Sequence, residues 1–162
     1  MAGVPLLRDE ESAKRMEIKL TVIREIMSPD VRMVRPEQTI REAAQLMAEM
    51  DIGALPVAND ERLLGMVTDR DIVVRGLARG LTPDSPVSDV MSAEVKYCFD
   101  DDDLAKIVEN MSEIQVRRLP VVDRNKRLVG IVALADIATK TNSQEAAVAL
   151  SGISEPGGTH AR

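Results

Sequence analysis

Residues 65–71 read Gly-Met-Val-Thr-Asp-Arg-Asp, which puts a glycine, a hydroxyl, a guanidinium and a carboxylate in one short run. Together these residue types suit recognition of a phosphorylated sugar. A glycine at a strand end lets backbone approach a ligand closely, and a helix starting just after it would offer free N–H groups to a phosphate. A carboxylate such as Asp71 can accept both hydroxyls of a ribose, as acidic residues do in other nucleotide folds. Thr68 can donate to a phosphate oxygen, and Arg70 can meet one with a charge-assisted bond. A purely local reading stands beside this one. Thr68 followed three residues later by Asp71 fits a capping box, in which both side chains serve only to start a helix. The two roles can coexist.

Other chemistries find little support. Cys98 is the sole cysteine and His160 the sole histidine, the latter in a Gly-rich tail, so an intrachain disulfide is impossible and neither a Cys/His metal site nor a Ser-His-Asp triad is expected. Cys98 reads as an inert, partly buried residue. The acidic run 100–103 invites a metal, yet carboxylates at a helix N-terminus are stabilised by the macrodipole, and the capping and solvated-turn reading is preferred. The formal net charge is −6 and there is no long Lys/Arg run, so no nucleic-acid partner is expected. No apolar stretch approaches the roughly 20 residues of a membrane span, and the first residues lack the order of a signal peptide. The expectation is a soluble, cytoplasmic protein; carboxylates and lysines alone can still serve an enzyme, so that reading is weakened and not excluded.

The elements that must hold these residues come from an internal repeat. Residues 21–73 return at 86–138: Met27 and Met91 are 64 apart, Pro56 and Pro120 are 64 apart, and Gly65 and Gly130 are 65 apart. One residue is therefore inserted between Pro120 and Gly130, in the turn around 124–127. The matching strings are REIMS with SDVMS, IGALPV with VRRLPV, and LLGMVTDRDIV with LVGIVALADIA.

Each copy predicts the same order of elements. In the first, Thr39 and Glu42 form a capping box, and Ile40, Ala43, Ala44 and Met47 share one face of a helix ending near Gly53. Residues 54–58 and 63–67 read as two strands joined at the polar turn NDER, followed by a second helix from about Asp69 to Leu77 with Gly76 and Gly80 marking its end. In the second copy, Leu104, Ile107, Val108 and Met111 form the buried face of a helix beginning after Asp103, and the strands fall at 119–123 and 128–132. With Tyr97 and Phe99 the only aromatics, the core must be aliphatic and methionine-rich. Neither half can cover a small sheet alone, so two copies are expected to pack through their sheets with a pseudo-twofold relation. The short connection after Gly80 should dock them together. Outside the repeat, 9–20 reads as a charged helix and 144–150 as a short apolar one.

These strings resemble the CBS family, whose paired motifs form a Bateman module; IGALPV, GMVTDRDIV, VRRLPVVD and GIVALADI carry the likeness over roughly residues 21–140. The chain is most similar to small stand-alone bacterial tandem-CBS proteins, a hypoxic-response type among them. The resemblance implies a mixed α/β (α+β) fold of two tandem motifs, each a small sheet with two helices. The parts are an N-terminal helical extension at 1–20, motif 1 at 21–80, a linker at 81–86, motif 2 at 87–140 and a tail at 141–162.

The resemblance also implies two nucleotide clefts, each combining the Asp segment of one copy with the adenine pocket of the other. The first would use Met66, Thr68, Arg70 and Asp71 with Met91, Lys96, Val116 and Arg117, the base lying between Met91 and Val116. The second would use Ile131 and Asp136, after Gly130, with Met27, Arg32, Ile52 and Gly53. There Ala133 replaces the hydroxyl residue and Ala135 stands where Arg70 stands, so this cleft is expected to bind more weakly. The ligand implied is AMP, ADP or ATP, with S-adenosylmethionine or NAD as alternatives, in a regulatory role and not as a catalytic cofactor. A homodimer that senses the nucleotide and signals to an unidentified protein partner is the leading expectation. The alternative is a ligand-independent dimeric scaffold whose clefts are vestigial.

Overall fold

The computed structural model describes residues 21–141. The helices expected at 9–20 and 144–150 lie outside the described residues. Nine elements follow in chain order: α1 (Ile40–Met50), β1 (Ala54–Asn59), β2 (Arg62–Thr68), α2 (Asp69–Asp71), β3 (Cys98–Phe99), α3 (Leu104–Ile114), β4 (Arg118–Val122), β5 (Leu128–Ala133) and α4 (Leu134–Thr141). By contact the described residues group into two units. One comprises 30–97 with 122–129 and holds Asp71; the other comprises 21–29, 98–121 and 130–141 and holds Asp136.

The boundaries of these units are not those of the sequence repeat. Residues 86–97 open the second copy yet pack in the Asp71 unit, where Val87 donates its N–H to the Gln38 carbonyl and Ser92 bridges Met66. Residues 21–29 open the first copy yet pack in the Asp136 unit, where Ile23 N–H reaches the Asp102 carbonyl and Ser28 bridges Ile131.

In the Asp71 unit, α1 starts as its sequence predicts. Thr39 Oγ1 accepts the Glu42 N–H at 3.1 Å and Glu42 Oε2 accepts the Thr39 N–H at 2.7 Å, a bond that holds the Glu42 carboxyl below the usual carboxylate range. The next two N–H groups, of Ile40 and Arg41, donate to the carbonyls of Ser85 and Pro83. The 81–86 connection thus supplies acceptors to orphan donors of the helix start. Ile40, Ala43 and Met47 are buried against Leu55, Val57, Val67, Val87 and Val90. Each fully buried Val or Leu side chain stabilises by roughly 1.5–3 kcal/mol. Ala44 departs from the predicted face: it is exposed, and Leu46 packs against the core in its place.

β1 and β2 are antiparallel, with Asn59 opposite Arg62, so the loop is the two residues Asp60 and Glu61. Both have positive φ, 46° and 68°, as a type I′ turn requires. In the second hairpin Asp123 N–H donates to the Arg127 carbonyl, closing a three-residue loop 124–126 with Lys126 left-handed at φ 61°. This accounts for the inserted residue, since the two loops are different hairpin types. β3, β4 and β5 form a sheet in that order. In the Asp136 unit the predicted face of α3, Leu104, Ile107, Val108 and Met111, is buried.

The second helix of the first copy is not one regular helix. α2 gives way to a π turn at Ile72–Gly76 and a 3₁₀ turn at Leu77–Arg79, ending at Gly80 with φ 78°. Gly76 does not terminate it, contrary to the sequence reading. It is buried, and a Cβ there would make ordinary van der Waals contact with Val90 and Ile40, at 3.4 and 3.5 Å. Among the described residues no helix is long and apolar enough to cross a membrane.

Candidate functional site

The signature run spans the end of β2 and the start of α2. Both halves of the capping box form: Thr68 Oγ1 accepts the Asp71 N–H and Asp71 Oδ2 accepts the Thr68 N–H, each at 3.0 Å. The two neighbouring N–H groups are also taken, Asp69 by the Gly53 carbonyl at 2.9 Å and Arg70 by Asp69 Oδ1 at 2.7 Å. The free helix N–H groups expected for a phosphate are therefore absent, because the Gly53 carbonyl, Asp69 Oδ1 and Thr68 Oγ1 satisfy those of Asp69, Arg70 and Asp71 first. A phosphate here would have to be met by side chains. The Thr68 hydroxyl accepts in the cap but keeps its own hydrogen to donate. Arg70 is exposed, and among the described residues it has no ion pair.

Asp71 retains acceptor capacity, since an ionised carboxylate offers about four lone-pair sites and the cap uses one. Its other oxygen, Oδ1, lies 3.9 Å from Arg75 Nε, and the side chain is 18% exposed. Arg75 also donates from NH1 to the Met91 carbonyl at 3.3 Å. It therefore links the carboxylate to a residue of the adenine pocket implied by resemblance. Arg75 lies outside the motif residues that the sequence singles out. Its i,i+4 spacing from Asp71 is a signal that could have flagged it, but its reach to Met91 depends on tertiary packing.

β2 reaches the same residues from its side. Met66 and Ser92 exchange backbone bonds at 3.0 and 2.8 Å, and a Cβ on Gly65 would lie 2.5 Å from the Ser92 carbonyl and 3.3 Å from Met91 Sδ. The glycine thus allows two backbone segments to meet. Met66, Thr68, Asp71 and Met91 are all half-buried and gather in one unit. Lys96 is exposed, on irregular chain beyond Met91, and among the described residues no ion pair ties it to that group.

The Asp136 unit repeats the pattern in reduced form. Asp136 Oδ2 accepts the Ala133 N–H at 3.1 Å, but Ala133 has no hydroxyl to answer, so half of the box remains. The Leu134 N–H donates to the Arg117 carbonyl at 3.0 Å, as Asp69 donates to Gly53. Met27 packs on Gly130, and Ser28 exchanges bonds with Ile131 at 2.8 and 3.0 Å. Met27, Ile131 and Asp136 are thus together. Val116 is half-buried and Arg117 exposed in this unit, while Arg32, Ile52 and Gly53 belong to the Asp71 unit, where Ile52 packs partly on the core.

Asp102 Oδ2 accepts the Phe99 N–H at 2.8 Å and Asp100 pairs with Arg24 at 3.5 Å, so the acidic run serves turn and ion pair. Among the described residues no group of three or more His, Cys, Asp or Glu is placed to hold a metal. Cys98 is 2% exposed, more buried than the sequence suggests. Burial, followed by the charge of Asp102, pushes its thiol up to about 12.

A model of the CBS domain matches residues 23–76 and again 87–141. The chain belongs to the CBS domain family. This CBS pair is 44% identical over 128 residues to the CBS domain-containing protein YhcV of Bacillus subtilis, covering 79% of this chain and 91% of that protein. It is 46% identical over 121 residues to hypoxic response protein 1 of Mycobacterium tuberculosis, covering 74% and 84%. The crystal structure of Hypoxic Response Protein I with two coordinated zinc ions matches at TM-score 0.67 and 45% identity, over 74% of this chain and 98% of that one. CBSX2 in complex with AMP matches at TM-score 0.67 and 26% identity, covering 75% and 96%. The CBS domain pair of MJ0100 in complex with 5′-methylthioadenosine and S-adenosylmethionine matches at 0.64 and 27%, covering 75% and 96%. The CBS pair therefore has solved structural neighbours that bind adenosine-containing ligands.

Proposed function

We propose that this CBS pair is a regulatory module that binds an adenine nucleotide and transmits its occupancy to a protein partner through conformation or dimer state. The observation that carries the reading is the gathering of Met66, Thr68, Asp71 and Met91 around the end of β2, with the second Asp71 oxygen not used by the cap. Asp71 holds the ribose hydroxyls, Thr68 and Arg70 meet phosphate, and Met91 packs on the base. The roles of Val116 and Arg117, and of Lys96 as added positive charge, are part of this proposal. AMP, ADP and ATP are the leading ligands, with S-adenosylmethionine or NAD the alternatives. The Asp136 group, without hydroxyl or arginine, forms the weaker site with Met27 and Ile131; roles for Arg32, Ile52 and Gly53 in it are part of this proposal. The protein acts in the cytoplasm and catalyses no reaction of its own.

A ligand that binds one arrangement better than another shifts the population by no more than its differential affinity. The dimer is supported by an apolar face on the π and 3₁₀ turns, where Val73, Val74 and Leu77 are 54%, 44% and 74% exposed. Beside it lies an apolar hollow of about 340 Å³ lined by residues including Ile40, Ala44, Ile72 and Leu81. Contiguous exposed apolar surface of this kind marks an interaction site.

Thermal melts test the reading. A nucleotide at 100 times its dissociation constant adds about 2.7 kcal/mol, which raises the midpoint of a protein this size by several degrees. The shift is expected for wild type and lost in Asp71→Ala. The scaffold alternative rests on the completed capping box at Thr68 and Asp71, and it is the conclusion if all five ligands leave the midpoint unmoved.

A further inference from the structure

Arg62 and Arg127 stand directly opposite each other in the Asp71 unit, as Cα partners of an antiparallel bridge between the two hairpin tips. They are 65 residues apart, the offset that relates Gly65 to Gly130, so each copy of the repeat supplies one. The flanking bonds hold the pair in register: Leu63 N–H reaches the Lys126 carbonyl at 3.5 Å and Leu128 N–H the Glu61 carbonyl at 2.6 Å. Like charges directly opposite on a β ladder are destabilising. Three other arginines, Arg24, Arg41 and Arg75, each have a carboxylate within 4 Å, but among the described residues neither Arg62 nor Arg127 does. Asp123, the acid nearest Arg127 in the turn, has one oxygen committed to the N–H groups of Asn125 and Arg127 at 2.8 and 3.0 Å.

With Asn59, Asp60, Leu64 and Asn125 the two arginines line an open polar hollow of about 560 Å³. Its lining carries two guanidinium groups against one carboxylate, with two amide side chains that can donate. Forked guanidinium donors match the oxygens of a phosphoryl group, and two at one site match a group carrying more than one negative charge. We propose that Arg62 and Arg127 form an anion site for a phosphate or pyrophosphate group, separate from the residues around Asp71. Bound there, the anion removes the repulsion between the arginines and ties the two hairpin tips to each other. The phosphoryl group comes either from a free inorganic anion or from the phosphate tail of a nucleotide.

The test is a titration of the full chain with inorganic phosphate, inorganic pyrophosphate, AMP and ATP at low ionic strength. It is followed by calorimetry and by the side-chain amide signals of Asn59 and Asn125. Saturable binding of pyrophosphate that moves both amide signals is expected. It weakens about tenfold or more in Arg62→Gln and in Arg127→Gln and less in Arg127→Lys, which keeps the charge without the fork. Asp71→Ala leaves it unchanged. If ATP moves the two amides and the inorganic anions do so more weakly, the nucleotide tail is the source; the reverse order assigns a free anion. Both substituted arginines are exposed, so the variants should fold and melt no lower than wild type without anion. The proposal is overturned if millimolar pyrophosphate gives no saturable response, if binding survives in the Arg62→Gln/Arg127→Gln double variant, or if Asp71→Ala abolishes it.

Discussion

Thr68 and Asp71 each accept the backbone N–H of the other at 3.0 Å, so the residues best suited to hold a ribose and a phosphate also start the helix. The two duties separate by substitution. Thr68→Ala removes the cap acceptor and should cost about 1 kcal/mol of stability, the usual value for a lost N-cap. It should weaken nucleotide binding less than Asp71→Ala, which removes both the return bond and the ribose acceptor. Chemical denaturation and calorimetry on the two variants give the split. Equal loss of stability with unchanged binding in both would leave only the cap.

Gly65 and Gly130 occupy matching positions but face different obstacles. A Cβ at Gly65 would lie 2.5 Å from the Ser92 carbonyl, which is backbone in a bridge. A Cβ at Gly130 would meet Met27 Sδ at 2.5 Å, the far end of a flexible side chain, and the Ser28 carbonyl only at 3.1 Å. Gly65→Ala should therefore cost about 1–3 kcal/mol, in the range of overpacked sites. Gly130→Ala should cost less. Urea midpoints rank the pair, and a reversed order would contradict the packing described.

The buried thiol makes an alkaline prediction. Burial holds its pKa up at about 12 when folded, against 9.0 for a free thiol, so the unfolded chain loses this proton first as pH rises. Stability from Cys98 is thus fully present below about pH 9 and declines between there and about pH 12. Cys98→Ala should flatten that limb of the stability profile. In native wild type the thiol should react slowly with a thiol-specific reagent, and at the free-cysteine rate once denatured.

Leu77 tests the dimer. At 74% exposure it contributes little to its own core, so Leu77→Glu should leave monomer stability within about 0.5 kcal/mol. If the Val73, Val74 and Leu77 face is the dimer surface, sedimentation should show a dimer for wild type and a monomer for the variant. A wild-type monomer would remove the dimer from the proposed function.

What the sequence determined by itself is local. Capping at Thr39 needs only Glu42 three residues on, the buried face of α3 needs only helical spacing, and the inserted residue in the second hairpin shows in the offset changing from 64 to 65. Tertiary structure decided the pairings that carry no such pattern. Ser92 bonds Met66, Ser28 bonds Ile131, and the Gly53 carbonyl takes the Asp69 N–H that a phosphate would otherwise meet. The first two are backbone contacts between segments distant in the chain and the third extends the β1–β2 ladder beyond Ala54 and Thr68, and backbone groups are alike in nearly every residue. Side-chain types therefore could not announce them, nor the π turn that follows Asp71, nor the meeting of Arg62 with Arg127.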